Sequence, residues 1–254
     1  MENKNILARV LGFALVFSYA SICLAAESFV LKIEPKSLEI GMFFSGTMVN
    51  ISGRILTNQE IVIEIIGPDE KSKFNMKAKV GPFWMNREKV ELEHAPFLYK
   101  LLLPEKQNGS DRLSSLPVGI RNIKRRIIMK PKHLDFDKVF DLFVQLKSSE
   151  ELYQELKGAI RYSPQTDGKK SFKASFSFPS STAPGNYQIV ATILNDDDPE
   201  GTSVHDYRVK EVGVIKMIRQ WALNRELLYG IFCVFIALSM GALIGIVFKR
   251  AETH

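Results

Sequence analysis

Cysteine is nearly missing from this chain: of 254 residues only Cys23 and Cys233 carry a thiol, and each lies inside an apolar run. The stretch from Glu27 to Arg225 has none. That rules out a disulfide framework, a thiol nucleophile, CxxC redox chemistry and thiolate metal sites there, and leaves a body that must stand on its own core. Histidine is scarce as well. His94, His133, His205 and His254 are all there are, and none falls in a known metal-ligand motif. HExxH, GxSxG and P-loop patterns are absent too, so neither catalysis nor a cofactor is expected. Charge of one sign is not in excess: 34 Lys and Arg face 28 Asp and Glu, a formal net charge of +6. A mixed, mildly basic surface of this kind does not point to nucleic acid.

Long apolar runs are rare, but two exist and they bracket the rest. The first, Val10 to Ala20, follows Lys4 and Arg9 and ends in Cys23-Leu24-Ala25-Ala26. It is about a dozen residues long, basic in front and small behind, which is the form of a cleaved export signal over residues 1–26. The second, Leu227 to Phe248, has no charge and would be roughly 33 Å long as a helix, enough for a hydrocarbon core of about 30 Å. Lys249 and Arg250 follow it. By the excess of basic residues on cytoplasmic sides, the expected topology is a body outside the membrane, one span and a cytoplasmic tail at 249–254.

Between the two runs the dominant signal is alternation. Phe172, Ala174, Phe176 and Phe178 take every second position and predict a half-buried strand; the turn residues 179–186 follow, then Tyr187, Ile189, Ala191 and Ile193 predict a returning strand. Thr202 to Val212 predicts a third. Toward the N-terminus, strands are expected at Phe29 to Ile33, Thr47 to Ser52, Glu60 to Ile66, Phe74 to Val80 and Arg87 to Glu93, with Gly67-Pro68 and Gly81-Pro82 as punctuation. The expected fold is mainly β: an Ig-like β-sandwich over residues 27–213 without that fold's cysteine pair. Phe136, Val139, Phe140, Phe143 and Val144 fall at helical spacing, so about 96–157 is read as a helical insertion, with two consecutive sandwiches as the alternative. Val214, Ile215, Ile218, Trp221 and Ala222 predict an amphipathic juxtamembrane helix at 214–226.

Several short elements recur in order along the body: Phe44-Ser45-Gly46, Gly67-Pro68, Trp84-Met85-Asn86, Pro96-Phe97-Leu98-Tyr99, Leu152-Tyr153 and Pro184-Gly185-Asn186-Tyr187. Lys210-Glu211-Val212-Gly213, Leu228-Tyr229-Gly230 and Phe248-Lys249-Arg250 complete the series. In this the chain resembles the Alph_Pro_TM family of transmembrane proteins, first described from alphaproteobacteria, and departs from it at Gly81-Pro82-Phe83. The resemblance implies an inner-membrane protein with a periplasmic domain and brings no activity. It also implies a neighbourhood, since members often sit beside permeases that look like sulfite or sulfonate exporters.

Four groups of residues are candidates for recognition. Trp84, Asn86, Phe97 and Tyr99 cluster aromatics at a sheet end and form a candidate docking patch, set against ordinary core packing. Ala237, Gly241 and Gly245 recur every fourth residue on one face of the span, a stripe that admits a second helix or a second copy of the chain. The basic run Arg121, Lys124, Arg125, Arg126, Lys130 and Lys132 would meet anionic headgroups or simply face water. The acidic turn 195–201 has oxygen ligands for Ca²⁺ but lacks the bidentate Glu of an EF-hand loop. The expected function is therefore binding: an accessory subunit of a transport complex whose periplasmic domain engages another protein. The alternative is a sensing ectodomain for a small molecule or envelope polymer.

Overall fold

The computed structural model describes residues 31–80, 82–105, 118–164, 168–195 and 198–251. The expected signal at 1–26, Phe29 of the first expected strand, part of the acidic turn and the end of the tail lie outside the described residues. Twelve strands are described: β1 (Lys32–Glu34), β2 (Ser37–Ile40), β3 (Thr47–Leu56), β4 (Gln59–Ile66), β5 (Asp69–Val80), β6 (Phe83–Pro96), β7 (Tyr99–Pro104), β8 (Ile128–Lys130), β9 (Tyr153–Tyr162), β10 (Lys169–Phe178), β11 (Gly185–Asn195) and β12 (Asp198–Glu211). The described helices are α1 (Ile120–Lys124), α2 (Phe136–Ser149), α3 (Gly213–Asn224) and α4 (Glu226–Ala251).

Nine strands form one sheet in the order β1-β3-β10-β9-β7-β4-β11-β12-β2, and β5-β6-β8 form a second. In a flat sheet β10 and β11 would be about 19 Å apart, four strand spacings of about 4.8 Å. Yet the Phe178 ring at the end of β10 lies 5.2 Å from Tyr187 of β11 and 5.7 Å from Tyr207 of β12. The large sheet is thus folded over, with its two halves facing each other across an apolar core. Strand β9 makes the fold. Tyr153 to Lys157 pair in parallel with β7, Ile160 to Tyr162 pair antiparallel with β10, and Gly158 between them has φ +73°. Only a residue without a Cβ takes that conformation at little cost, so the strand leaves one half and joins the other at this point. The Tyr162 hydroxyl then accepts the N–H of Ile61 across the gap at 3.1 Å.

The segment 96–157 contains the expected helix and more. Asp135 caps α2 by accepting the N–H groups of Asp137 and Lys138, and Val139, Phe140 and Phe143 supply its buried face. Against the expectation of helices and loops alone, β7 and the first half of β9 are interior strands of the large sheet. Tyr99 to Leu103 are all buried, so β7 has no polar face and its alternation is lost. Helix α2 stands between the two sheets: Phe143 meets Tyr153 edge-on at 5.6 Å and stacks on Phe74 of β5 at 6.5 Å. The small sheet is clamped by charge, with Glu93 taking both Lys71 (2.9 Å) and Lys130 (3.0 Å), Arg126 on Asp69 (2.9 Å) and Lys147 of α2 on Glu70. The two ammonium groups hold the Glu93 carboxyl down at about 2.

Candidate functional site

Among the described residues, exposed apolar side chains gather at the tip of the β5–β6 hairpin and at the end of the body from which α3 and α4 emerge, and others stand on α2 (Leu142, Leu146) and along the strands (Met48, Leu56, Ile128, Val204). In the hairpin, Val80 pairs with Phe83 and Ala78 with Met85, and Phe83 and Met85, two residues apart, share one face of the ribbon at its tip. Phe83 is 70% and Met85 55% exposed.

The residues expected to form one docking patch are therefore separated. Trp84 and Asn86 belong to the hairpin tip, while Phe97 and Tyr99 lie past the other end of β6, roughly 40 Å away along a strand at about 3.3 Å per residue. Tyr99 is not surface at all. It is 1% exposed, packs edge-on against Tyr153 and donates its hydroxyl to Glu64 Oε1 at 2.5 Å, while the Gly119 N–H donates to that hydroxyl at 2.7 Å. The large apolar ring is spent on core packing, which corrects the reading of Tyr99 as a docking residue. Phe97 is half-buried beneath the Lys147 ammonium, 4.8 Å from its ring centre.

Among the described residues, three buried charged groups give no motif in the sequence: Glu64, Lys100 and Lys147. Burial raises the Glu64 carboxyl above its usual range, opposed by the Tyr99 hydroxyl and the Gly119 N–H. Lys147 is compensated by Glu70 and by the carbonyl of Phe97 at 3.4 Å. Lys100 has no exposed surface and gives its ammonium to Gln154 Oε1 at 2.8 Å; burial pushes it down to about 8, against the pull of Glu151. One charge inside the apolar run Phe97-Leu98-Tyr99-Lys100-Leu101-Leu102-Leu103 is the signal that would have found it.

A base whose folded pKa lies below its unfolded value of about 10.4 opposes folding while charged, because the unfolded chain holds the proton over a wider range. Stability is expected to rise from about pH 8 to about pH 10 as the native state alone releases the proton. Above that window it falls, because burial raises Tyr99, Tyr153 and Tyr187 and the unfolded chain ionises its tyrosines first. Lys100→Met should stabilise the chain at pH 7 by about 1–2 kcal/mol and flatten the rise. Thermal unfolding of the detergent-solubilised protein at a series of pH values reads both, and parallel curves for the two proteins would contradict the assignment.

The histidines stand apart: His94 faces Asp69 at 3.7 Å, His133 faces Glu88 at 2.8 Å, and His205 faces the Ser203 hydroxyl at 3.0 Å. Among the described residues no cluster of three or more His, Cys, Asp or Glu is arranged to hold a metal. In the acidic turn, Glu200 accepts the Gln59 amide at 2.7 Å. Of the basic run, Lys124 bridges to Asp137 at 2.7 Å and Arg126 and Lys130 belong to the clamp on the small sheet, so these three charges hold structure together.

At the other apolar region β12 runs out of the body into the helices. Glu211 binds Arg219 of α3 at 2.8 Å, and the Val212 N–H donates to the Ile40 carbonyl at 3.0 Å. Helix α3 breaks at Arg225, and the break lets Trp221 reach Phe232 of α4, ring centres 6.1 Å apart. Glu226 to Gly245 of α4 is long and apolar enough to cross a membrane, and none of its most apolar window is buried in the protein. Ala237, Gly241 and Gly245 lie on it, and a Cβ built at either glycine meets nothing within 4 Å.

A family model described as "Putative transmembrane protein (Alph_Pro_TM)" matches residues 28–250. The chain belongs to the Alph_Pro_TM family. The match spans the β body, α3 and nearly all of α4, so the transmembrane character of the family agrees with the candidate span in α4. No curated protein matches the sequence.

Proposed function

We propose that this Alph_Pro_TM protein is a membrane-anchored, non-enzymatic binding subunit, with its β body on the periplasmic side of the inner membrane and the end of α4 on the cytoplasmic side. Lys249 and Arg250 at that end support the orientation. The observation that carries the binding role is the hairpin tip. Large apolar side chains on a solvated ribbon are what a partner's pocket takes up, and the charge clamp and α2 hold the ribbon's base in a fixed place. The partner class is a membrane permease, the neighbourhood that the family resemblance implies, and the small-residue face of α4 gives it a second contact within the bilayer.

A photoreactive amino acid at Phe83 or Met85, irradiated in native membranes, is expected to join the chain to one discrete membrane protein. Phe83→Ser with Met85→Ser should abolish copurification of that protein and leave abundance unchanged, because both side chains are exposed. Labelling of no protein from either position would overturn the reading. The alternative ectodomain for a small ligand has one favourable observation, a polar cleft of about 510 Å³ lined by Ser45, Thr47, Ser149, Glu151, Ser177 and Ser180.

A further inference from the structure

The loop after β2 is a tight turn: the Phe44 N–H donates to the Gly41 carbonyl at 3.1 Å, leaving Met42 and Phe43 as its two central residues. Such positions ordinarily take Gly, Asn, Asp, Ser or Pro, whose backbone and side-chain chemistry suits a turn in water. Here Met42 is 61% and Phe43 90% exposed. Nothing about turn geometry asks for a methionine and a phenylalanine, so what calls for them lies outside the turn.

Its place in the fold says what that is. Ile40, one residue before the turn, accepts the N–H of Val212, and a Cβ at Gly41 would stand 3.8 Å from Val212 Cγ2. Val212 is the last residue before α3, so the turn sits beside the point where the chain leaves for the membrane. From there α3 is about 18 Å long at about 1.5 Å per residue, and α4 begins directly after the break. Val214, Met217, Ile218 and Trp221 of α3 recur at helical spacing and are each near half exposed, while Lys216 and Arg219 take other positions around the helix. The turn and this helix face are two exposed apolar groups at the same end of the body, both next to the root of the span.

We infer that the Met42-Phe43 turn inserts into the interfacial layer of the bilayer and, together with the apolar face of α3, forms a two-point seat that fixes the orientation of the β body on the membrane. The occupant is lipid because α4 brings a bilayer to within one short helix of the turn, and an aromatic ring beside an aliphatic side chain suits the headgroup–acyl boundary. A second contact away from α3 also restrains rotation of the body on the membrane, which α3 alone would not do.

The test uses the full chain with Cys23 and Cys233 replaced by alanine, reconstituted in vesicles of phosphatidylethanolamine with a minority of phosphatidylglycerol. A polarity-sensitive fluorophore is attached at Phe43→Cys or, at the far end of the body, at Ser163→Cys. The probe at 43 should be blue-shifted and lose most of its emission to spin-labelled lipid, while the probe at 163 should behave as in water. Equal spectra at the two sites would overturn the inference, and so would quenching at both, which would mean the body lies along the membrane without a defined seat. Protection of position 43 in native membranes but not in pure lipid vesicles would also overturn it, by making the occupant a protein. Because Phe43 is exposed, the substitution leaves the core untouched, and the readout does not depend on the binding role proposed for the hairpin.

Discussion

Phe178→Ala should lower stability by about 3–5 kcal/mol, the full cost of emptying a buried phenylalanine site. Phe178 is 1% exposed and touches the rings of Phe176, Tyr187 and Tyr207, so it fills the space between the two halves of the folded-over sheet. Truncation would leave a cavity walled by rigid rings, which cannot collapse to fill it. Phe43→Ala makes the same chemical change at a 90% exposed site and should stay within about 0.5 kcal/mol. Denaturant unfolding of both variants in the same detergent measures the contrast. If Phe178→Ala proves as mild as Phe43→Ala, the halves do not close on that ring.

Gly67→Ala is the second large effect, and it is opposite in sign to a matched change elsewhere. A Cβ at Gly67 would fall 2.8 Å from the backbone nitrogen of Leu98 and 3.1 Å from a Tyr187 ring carbon. The same glycine donates its N–H to the Leu98 carbonyl at 2.7 Å, and the Phe97 N–H returns to the Pro68 carbonyl at 2.8 Å. These bonds hold the joint where the chain passes from the large sheet into the hairpin, so the backbone cannot move aside without breaking them. The expected loss is about 2–3 kcal/mol, overpacking outweighing the entropy gained by removing a glycine. A Cβ at Gly201 meets nothing within 4 Å, so Gly201→Ala should be neutral or stabilising by up to about 1 kcal/mol. Loss of stability at both sites would show that the joint is not the cause.

The parts of the fold that were legible from the sequence are those where one face of a strand meets water. In β10, Phe172, Ala174, Phe176 and Phe178 are buried and Lys173 and Ser175 exposed, so the alternation along the chain is the alternation in space. β7 was invisible for the converse reason. Buried on both faces, Tyr99 to Leu103 form a short apolar run that periodicity cannot distinguish from part of a helix, and the true helix nearby drew the whole segment with it. Strand β9 was hidden by its change of partner at Gly158, which resets which residues face inward.

The candidate site was legible in part. Trp84 and Asn86 were singled out at the hairpin tip but not Phe83 and Met85, its exposed apolar pair, and the same aromatic cue at Phe97 and Tyr99 marked core, because composition does not say which rings the fold covers. Met42 and Phe43 gave no signal at all, since two residues make no period; only the pairing of β2 with β12 brings them beside the root of the helices. The long apolar stretch of α4 needed no fold to be seen.

Strand β12 is at once the last strand of the body and the stem of its anchor, and this sets how the protein bears mechanical load. A pull from α4 reaches the body through α3 at the end of β12, and whatever part of it runs along that strand falls on its pairing with β11 over nearly its whole length and with β2 over its final residues. The backbone hydrogen bonds lie across the direction of that pull, so they share the force and must yield together instead of opening one after another from an end. Tension between the span and the rest of the body would therefore meet a shear-loaded seam. A body built this way can carry strain from the membrane without peeling off its own tether.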